Sequence, residues 1–257
     1  MTDVNPSRPW VGLVPMAGQA TRLAPLPSSK ELLPVGFQGA GEDAKVKVVS
    51  QYLLEALKQA EITKAFLVLR QGKWDIPAYY GDGSTTGLEL AYLLMRLPYG
   101  VPYTLDAAYS FVKECNVAVG FPDIIYDPLT AFSVLKERLE ASQTDIVLGL
   151  FPATAPERSD MVALDGAGNV KSIVIKPART TLSLSWGLAV WQPSFTEFMH
   201  HHLATLPASE AETQLGAVFL AAQSSGLALE AVSFDEGAFF DIGTPEGLKR
   251  ALARFGE

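Results

Sequence analysis

Residues 11–36, VGLVPMAGQATRLAPLPSSKELLPVG, decide how the rest of the chain reads. They open on a short apolar run, Val11-Gly12-Leu13-Val14, of the length and character of a buried strand. A loop of small residues follows, Ala17-Gly18-Gln19-Ala20, where backbone N–H groups can approach a bound anion closely. Arg22 and Lys30 then flank a turn-rich segment holding Pro25, Pro27, Ser28 and Ser29. A strand, a tight loop and two separated cations suit a polyphosphate held from several sides. Neither G-x-x-x-x-G-K-[ST] nor G-x-G-x-x-G occurs here, so two common phosphate loops are excluded. Taken singly, Arg22 and Lys30 read as solvated loop charges; joined to the loop, they read as a site.

Downstream, residues 46–60 (VKVVSQYLLEALKQA) put Val48, Tyr52, Leu53 and Ala56 on one helical face, and residues 64–69 (KAFLVL) read as a buried strand. Strand, loop, helix and strand in that order predict a parallel sheet with right-handed crossovers. Ligands in such sheets sit at the carboxyl ends of strands, where the Gly18 loop falls. Further strands are expected at 88–94, 145–151, 159–164 and 169–175, and helices at 104–112, 128–142, 195–203 and 245–255. Residues 39–43 read as a flexible insert, and 80–87, 98–102 and 165–168 as turns. Residues 117–123 (VAVGFPD) run an apolar strand into Asp123, which reads equally as a turn cap or as a ligand to a hard cation. His200, His201 and His202 are adjacent on a helix and point to different faces, so they cannot share one metal; a solvated helix end fits them better.

The chain has 257 residues, 48% of them apolar, enough for a substantial core. Its net charge of −8 argues against nucleic-acid and anionic-membrane partners, which need basic surfaces. The single cysteine, Cys115, excludes an internal disulfide and a cysteine-cluster metal site and fits a reducing, cytoplasmic setting. The opening MTDVNPSRPW lacks the apolar core of a signal peptide, and no apolar run has bilayer-spanning length.

The joined pattern P-x-A-G-x-x-T-R-L-x-P, from Pro15 to Pro25, followed by K-E-L-L-P-V from Lys30 to Val35, resembles the signature of sugar-1-phosphate nucleotidyltransferases. Thymidylyl- and uridylyltransferases for glucose 1-phosphate are most similar. The resemblance continues through Gly81-Asp82-Gly83-Ser84 and extends to residue 248. It implies an α/β, Rossmann-like mixed, mostly parallel sheet flanked by helices, formed as one nucleotidyltransferase domain over 1–257 with no C-terminal β-helix. It assigns nucleotide binding to Ala17, Gly18, Gln19, Ala20, Thr21 and Gly100. Arg22 would steady a departing pyrophosphate, and Lys30 would hold phosphate. Ile175-Lys176-Pro177 resembles the family's E-K-P, which gives Lys176 the sugar phosphate; the glutamate is missing, because Val174 and Ile175 stand before the lysine. Trp186 and Gly187 match the strand after it, with Trp186 where a threonine is common and so reshaping the sugar pocket. Residues 212–216 (ETQLG) resemble E-x-Q-L-T-D without its aspartate, which is Ala217 here.

Asp123 and Asp241, the latter in F-F-D-I-G-T resembling W-x-D-x-G-T, are implied as the two ligands of a Mg2+ cofactor. The alternative for that last segment, a helix cap, suits Thr244 better than Asp241. The implied partners are a nucleoside triphosphate (dTTP or UTP) and a sugar 1-phosphate (glucose 1-phosphate), with no nucleic acid and no membrane; a homo-oligomer would be ordinary for the family. A base-reading glutamine is missing near Leu94, Met95 and Arg96. Two other readings stay open: a degenerate homologue that only binds a nucleotide or nucleotide sugar, and a nucleotidyltransferase for another phosphate such as phosphocholine.

Overall fold

A computed structural model describes residues 8–39, 41–96, 99–166, 168–206 and 212–256. The expected insert at 39–43 and the turns at 98–102 and 165–168 each include a residue outside that set: Ala40, Pro98 and Ala167. The chain begins with β1 (Trp10–Pro15), a 3-10 turn at Lys30–Leu32, the hairpin β2 (Pro34–Gln38) and β3 (Lys45–Val48), then α1 (Val49–Gln59) and β4 (Lys64–Arg70). Next come α2 (Asp75–Tyr80), β5 (Glu89–Met95), α3 (Val101–Asp106), α4 (Tyr109–Val112), β6 (Asn116–Val119), β7 (Ile124–Asp127) and α5 (Ala131–Ala141). The second half runs β8 (Ile146–Pro152), β9 (Met161–Leu164), β10 (Val170–Val174), β11 (Leu184–Trp191) and α6 (Pro193–Thr205). It closes with α7 (Leu215–Ser224), β12 (Leu229–Ser233), β13 (Ala238–Asp241) and α8 (Pro245–Phe255).

The main sheet is mixed, as expected. Its order is β10-β9-β11-β6-β1-β4-β5, with β8 and β12 joined through β11. β6, β1, β4 and β5 are all parallel, and β11 pairs antiparallel with β6 and β8. The parallel half carries the Gly18 loop at its carboxyl edge. Alternation along β1 sends Val11 and Leu13 into one apolar layer with α6 and α7, and Val14 into the other with α1 and α5. Gly12 lets α1 close on the sheet: a Cβ there would lie 2.7 Å from Leu57 Cδ1. Trp191 fills the first layer and donates its indole N–H to Thr196 Oγ1 at 2.9 Å.

Several boundaries differ from the sequence reading. The helix expected from 46 begins at Val49, because β-branched Val46 and Val48 extend into β3. The helix expected at 104–112 is two short ones, α3 and α4. The strand expected to reach Asp123 stops at Val119, and Asp123 lies in the turn before β7. Helix α5 starts at Ala131, not 128, after a turn at 128–130 that follows β7 directly. Thr244 is the N-cap of α8, accepting from Gly247 N at 3.1 Å. Thr244→Ala is expected to cost about 1 kcal/mol in denaturant unfolding.

Ala20 sits at a φ of +55°, in the left-handed region, inside the signature loop. A methyl group there costs about 1–2 kcal/mol, part of which glycine's extra unfolded-state freedom offsets. Ala20→Gly is therefore expected to raise Tm by roughly 1–2 °C in a calorimetric scan.

Candidate active site

One cavity of about 630 Å³ opens at the carboxyl edge of the parallel strands. Its wall includes Ala17, Gly18, Gln19, Thr21, Arg22, Lys30, Gly100, Asp123, Lys176, Trp186 and Asp241. The structure thus gathers residues separated by more than two hundred positions. Two expected residues stand apart. Ala20 faces a neighbouring cavity of about 520 Å³ on the far side of the loop, which shares Gly18, Gln19 and Lys30. Gly187 is buried in β11 behind the wall, where its carbonyl accepts from Tyr126 Oη at 2.8 Å.

That tyrosine also positions Asp123. Tyr126 Oη accepts from Phe121 N at 2.9 Å and so fixes the turn that carries the aspartate. Burial holds the Tyr126 phenol protonated, keeping this double link intact. Asp241 ends β13, which pairs with β7, and Ile242 N donates to Asp123 O at 2.9 Å. The pairing brings the two carboxylates to one place. A Cβ built on Gly243 would lie 2.8 Å from Asp241 Oδ1, 3.1 Å from Arg22 Nη2 and 3.2 Å from Asp123 Oδ2. Two acids and a guanidinium therefore surround a single point that only glycine leaves open.

Lys30 Nζ lies 2.5 Å from Asp123 Oδ2. Burial works against the ammonium, but the Asp123 charge and hydrogen bond more than offset it, so the Lys30 pKa is raised. Burial likewise works against the Asp123 carboxylate, and Lys30 overrides it to hold Asp123 below the usual range. Asp241 is pushed up, by burial first and then by the Asp123 charge. The two aspartates repel each other, and an added cation between them would relieve that.

Lys30 is held from below. Its neighbour Glu31 is buried, with Lys73 Nζ at 2.6 and 2.8 Å from its two oxygens. Ser50 Oγ donates to Glu31 O at 2.7 Å, and Ser29 N and Oγ bind the Asp75 carboxylate at 2.6 and 2.7 Å. Glu31 is raised and Lys73 lowered by burial, which penalises both charges. Glu31 lies within K-E-L-L-P-V, where the pattern assigns it no role, and nothing in the sequence marks Lys73. No local pattern links positions 42 residues apart.

The opposite wall is stitched by Thr213 N donating to Tyr99 O at 3.3 Å and by Gly100, at a φ of +115°, whose Cβ would meet Thr213 O at 2.4 Å. Lys176, at a φ of +41°, donates to Gln214 Oε1 at 2.7 Å. Arg158, Asp160 and Glu212 line this end as well. None was expected as a site residue; Glu212 and Gln214 lay in the quoted ETQLG without a role. The histidine run is apart from the cavity, with His200 Nδ1 2.9 Å from Asp106 and stacked on Tyr109. Among the described residues, no three His, Cys, Asp or Glu side chains cluster as a metal site. Nor is any helix long and apolar enough to cross a membrane.

A family model described as nucleotidyl transferase matches residues 11–256, and the chain belongs to that family. Among curated relatives, the low-salt glycan biosynthesis nucleotidyltransferase of Haloferax volcanii is 25% identical over 244 residues, 93% of this chain and 64% of that protein. A glucose-1-phosphate thymidylyltransferase of Streptomyces griseus is 28% identical over 188 residues, 72% of this chain and 50% of that one. The chain thus spans less than two thirds of the length of these relatives. A crystal structure of a Bacillus anthracis protein in complex with sucrose shares the fold at a TM-score of 0.83. It is 20% identical, with 95% of this chain and 94% of that one covered. The UDP-glucose pyrophosphorylase structure from Acinetobacter baumannii gives 0.78 at 20% identity, with 96% and 93% covered.

Proposed function

We propose that the chain joins a nucleoside triphosphate to a sugar 1-phosphate, giving a nucleoside-diphosphate sugar and pyrophosphate. The observation that carries this reading is the convergence of Arg22, Asp123 and Asp241 on the space over Gly243, with Lys30 on Asp123. Relatives named for dTTP- or UTP-type chemistry on glucose 1-phosphate support the substrate class.

A phosphate oxygen of the sugar phosphate attacks the α-phosphorus, and the bond from that phosphorus to the β-phosphate oxygen breaks. Both reactants are anions, so the protein's work is alignment and charge neutralisation. The loop Ala17-Gly18-Gln19 with Thr21 and Gly100 would seat the nucleotide, Arg22 would meet the charge on the departing pyrophosphate, and Lys30 and Lys176 would hold the reacting phosphates. The attacking phosphate is ionised at neutral pH and needs no general base.

Asp123 and Asp241 would hold a divalent cation, Mg2+ in this reading. Two hard carboxylate oxygens without nitrogen or sulfur suit that ion, which would share the Asp123 carboxylate with Lys30. Bound there, the ion would supply charge neutralisation for the phosphates.

Pyrophosphate release tests the proposal. It is measured for each nucleoside triphosphate with Mg2+, in the presence and absence of glucose 1-phosphate. Release that requires the sugar phosphate supports the transferase; nucleotide binding without release favours the degenerate homologue, and release with phosphocholine in its place the third reading.

A further inference from the structure

The loop from Gly18 to Lys30 has a second face. Behind it lies the cavity of about 520 Å³, whose opposite wall runs from the end of β4 to the start of α2. Arg70, Gly72, Lys73, Trp74 and Asp75 supply that wall. The Arg70 guanidinium folds back over its own turn, with Nη1 donating to Gln71 O at 3.0 Å. Gly72 takes a φ of +91° beneath it, and a Cβ there would lie 3.8 Å from Arg70 Nη1.

Four charged residues line this cavity. Three of them are matched: Lys30 faces Asp123, Lys73 is buried against Glu31, and Asp75 accepts from Ser29 N and Oγ. Among the described residues Arg70 has no carboxylate partner, and its Nε is buried without a hydrogen-bond acceptor. A guanidinium cannot shed its charge to escape this. The Arg70 charge also bears on Lys73, whose pKa is lowered by burial first and, against the pull of Glu31, by the charges of Lys30 and Arg70. A buried donor left unmet beside other cations is costly unless an anion answers it. Three cations around one space favour a doubly charged group, phosphate over carboxylate, and the planar guanidinium can hold two of its oxygens. The rest of the wall is apolar. Trp74 is 55% exposed, and Ala24, Leu26 and Pro27 come from the loop. An open indole face is a stacking surface for a flat ring. The volume falls within the roughly 300–1,000 Å³ of small-molecule sites, so a bare phosphate would leave most of it empty.

We infer that this second cavity binds an organic phosphate, its charge on Arg70 and a flat ring on Trp74, at a site separate from the reacting phosphates. Binding alone tests it, so it stands or falls apart from the transferase reading. Phenyl phosphate, a dianion with one flat ring, is titrated into the full chain by isothermal calorimetry, with inorganic phosphate as the ringless control. Arg70→Met is expected to weaken phenyl phosphate roughly ten- to a hundredfold, the loss typical of hydrogen bonds to a charged group. Arg70→Lys keeps the charge without the fork and recovers part of it. Trp74→Ala weakens phenyl phosphate roughly two- to tenfold and leaves inorganic phosphate unchanged. Arg22→Met, which alters the first cavity, leaves this binding in place. Near-UV circular dichroism establishes that each variant is folded. No saturable binding of phenyl phosphate to wild type at millimolar concentration, or equal affinity in wild type and folded Arg70→Met, overturns the inference. So does a KM for nucleoside triphosphate that rises in Arg70→Met as far as the phenyl phosphate affinity falls, because the second cavity is then the seat of the triphosphate's own tail.

Discussion

Lys30→Ala is expected to lower turnover roughly a hundredfold or more, the loss seen when one preorganised charge contact to a developing anion is removed. Its ammonium is the cation closest to Asp123, 2.5 Å away, and it projects into the cavity from a 3-10 turn fixed on three sides. In the proposed roles the loss falls mainly on kcat, because Arg22 and Lys176 would remain to hold the phosphates of the ground state. Asp123→Asn should show a similar loss by a different route, removing a charge from the pair of acids around Gly243. Near-UV circular dichroism distinguishes lost chemistry from lost fold. Turnover near wild type in both folded variants would remove Lys30 and Asp123 from the mechanism.

The second large effect concerns stability. Lys73→Met is expected to cost about 3–5 kcal/mol, because Glu31 is left buried without its countercharge. Tm should fall on the order of 10 °C. Glu31→Leu combined with Lys73→Met should recover most of that, since a buried ion pair and a well-packed apolar pair differ little in net stability. The sign of the pH dependence follows from Glu31. Burial raises its folded-state pKa above the unfolded value, and removing Lys73 raises it further. In the window between those two values the folded state binds more protons, so stability falls as pH rises through it. The Lys73→Met penalty is therefore largest above the raised pKa and eases as pH drops toward the ordinary carboxylate range. Calorimetry of both variants across pH measures this; a single variant within about 1 kcal/mol of wild type would contradict it.

The sheet was legible where periodicity is local. β1, β4 and α1 each show their burial in the order of their own residues, and the Gly18 loop falls at the edge that a parallel sheet requires. The convergence of Arg22, Lys30, Asp123, Lys176 and Asp241 on one cavity was reached through the family pattern, not through periodicity. Asp123 illustrates the limit. Reading an apolar run as strand carried it to the end of β6, whereas Tyr126 folds the chain back before it. Lys73 is invisible for a similar reason: its partner, Glu31, comes from another element, and a buried ion pair leaves no local signature. Trp186, which the resemblance implies reshapes a sugar pocket, lines the cavity and packs on Phe121 and Phe219.

The claim on which everything else depends is that this cavity bonds two phosphates by attack at the α-phosphorus. Glucose 1-phosphate carrying 18O in its non-bridging phosphate oxygens tests it most directly, with 31P NMR following the label. The label is expected in the oxygen that links the two phosphorus atoms of the nucleotide sugar, with the released pyrophosphate unlabelled. Label in the pyrophosphate, or no linked product while Mg2+ and both substrates are present, would contradict it.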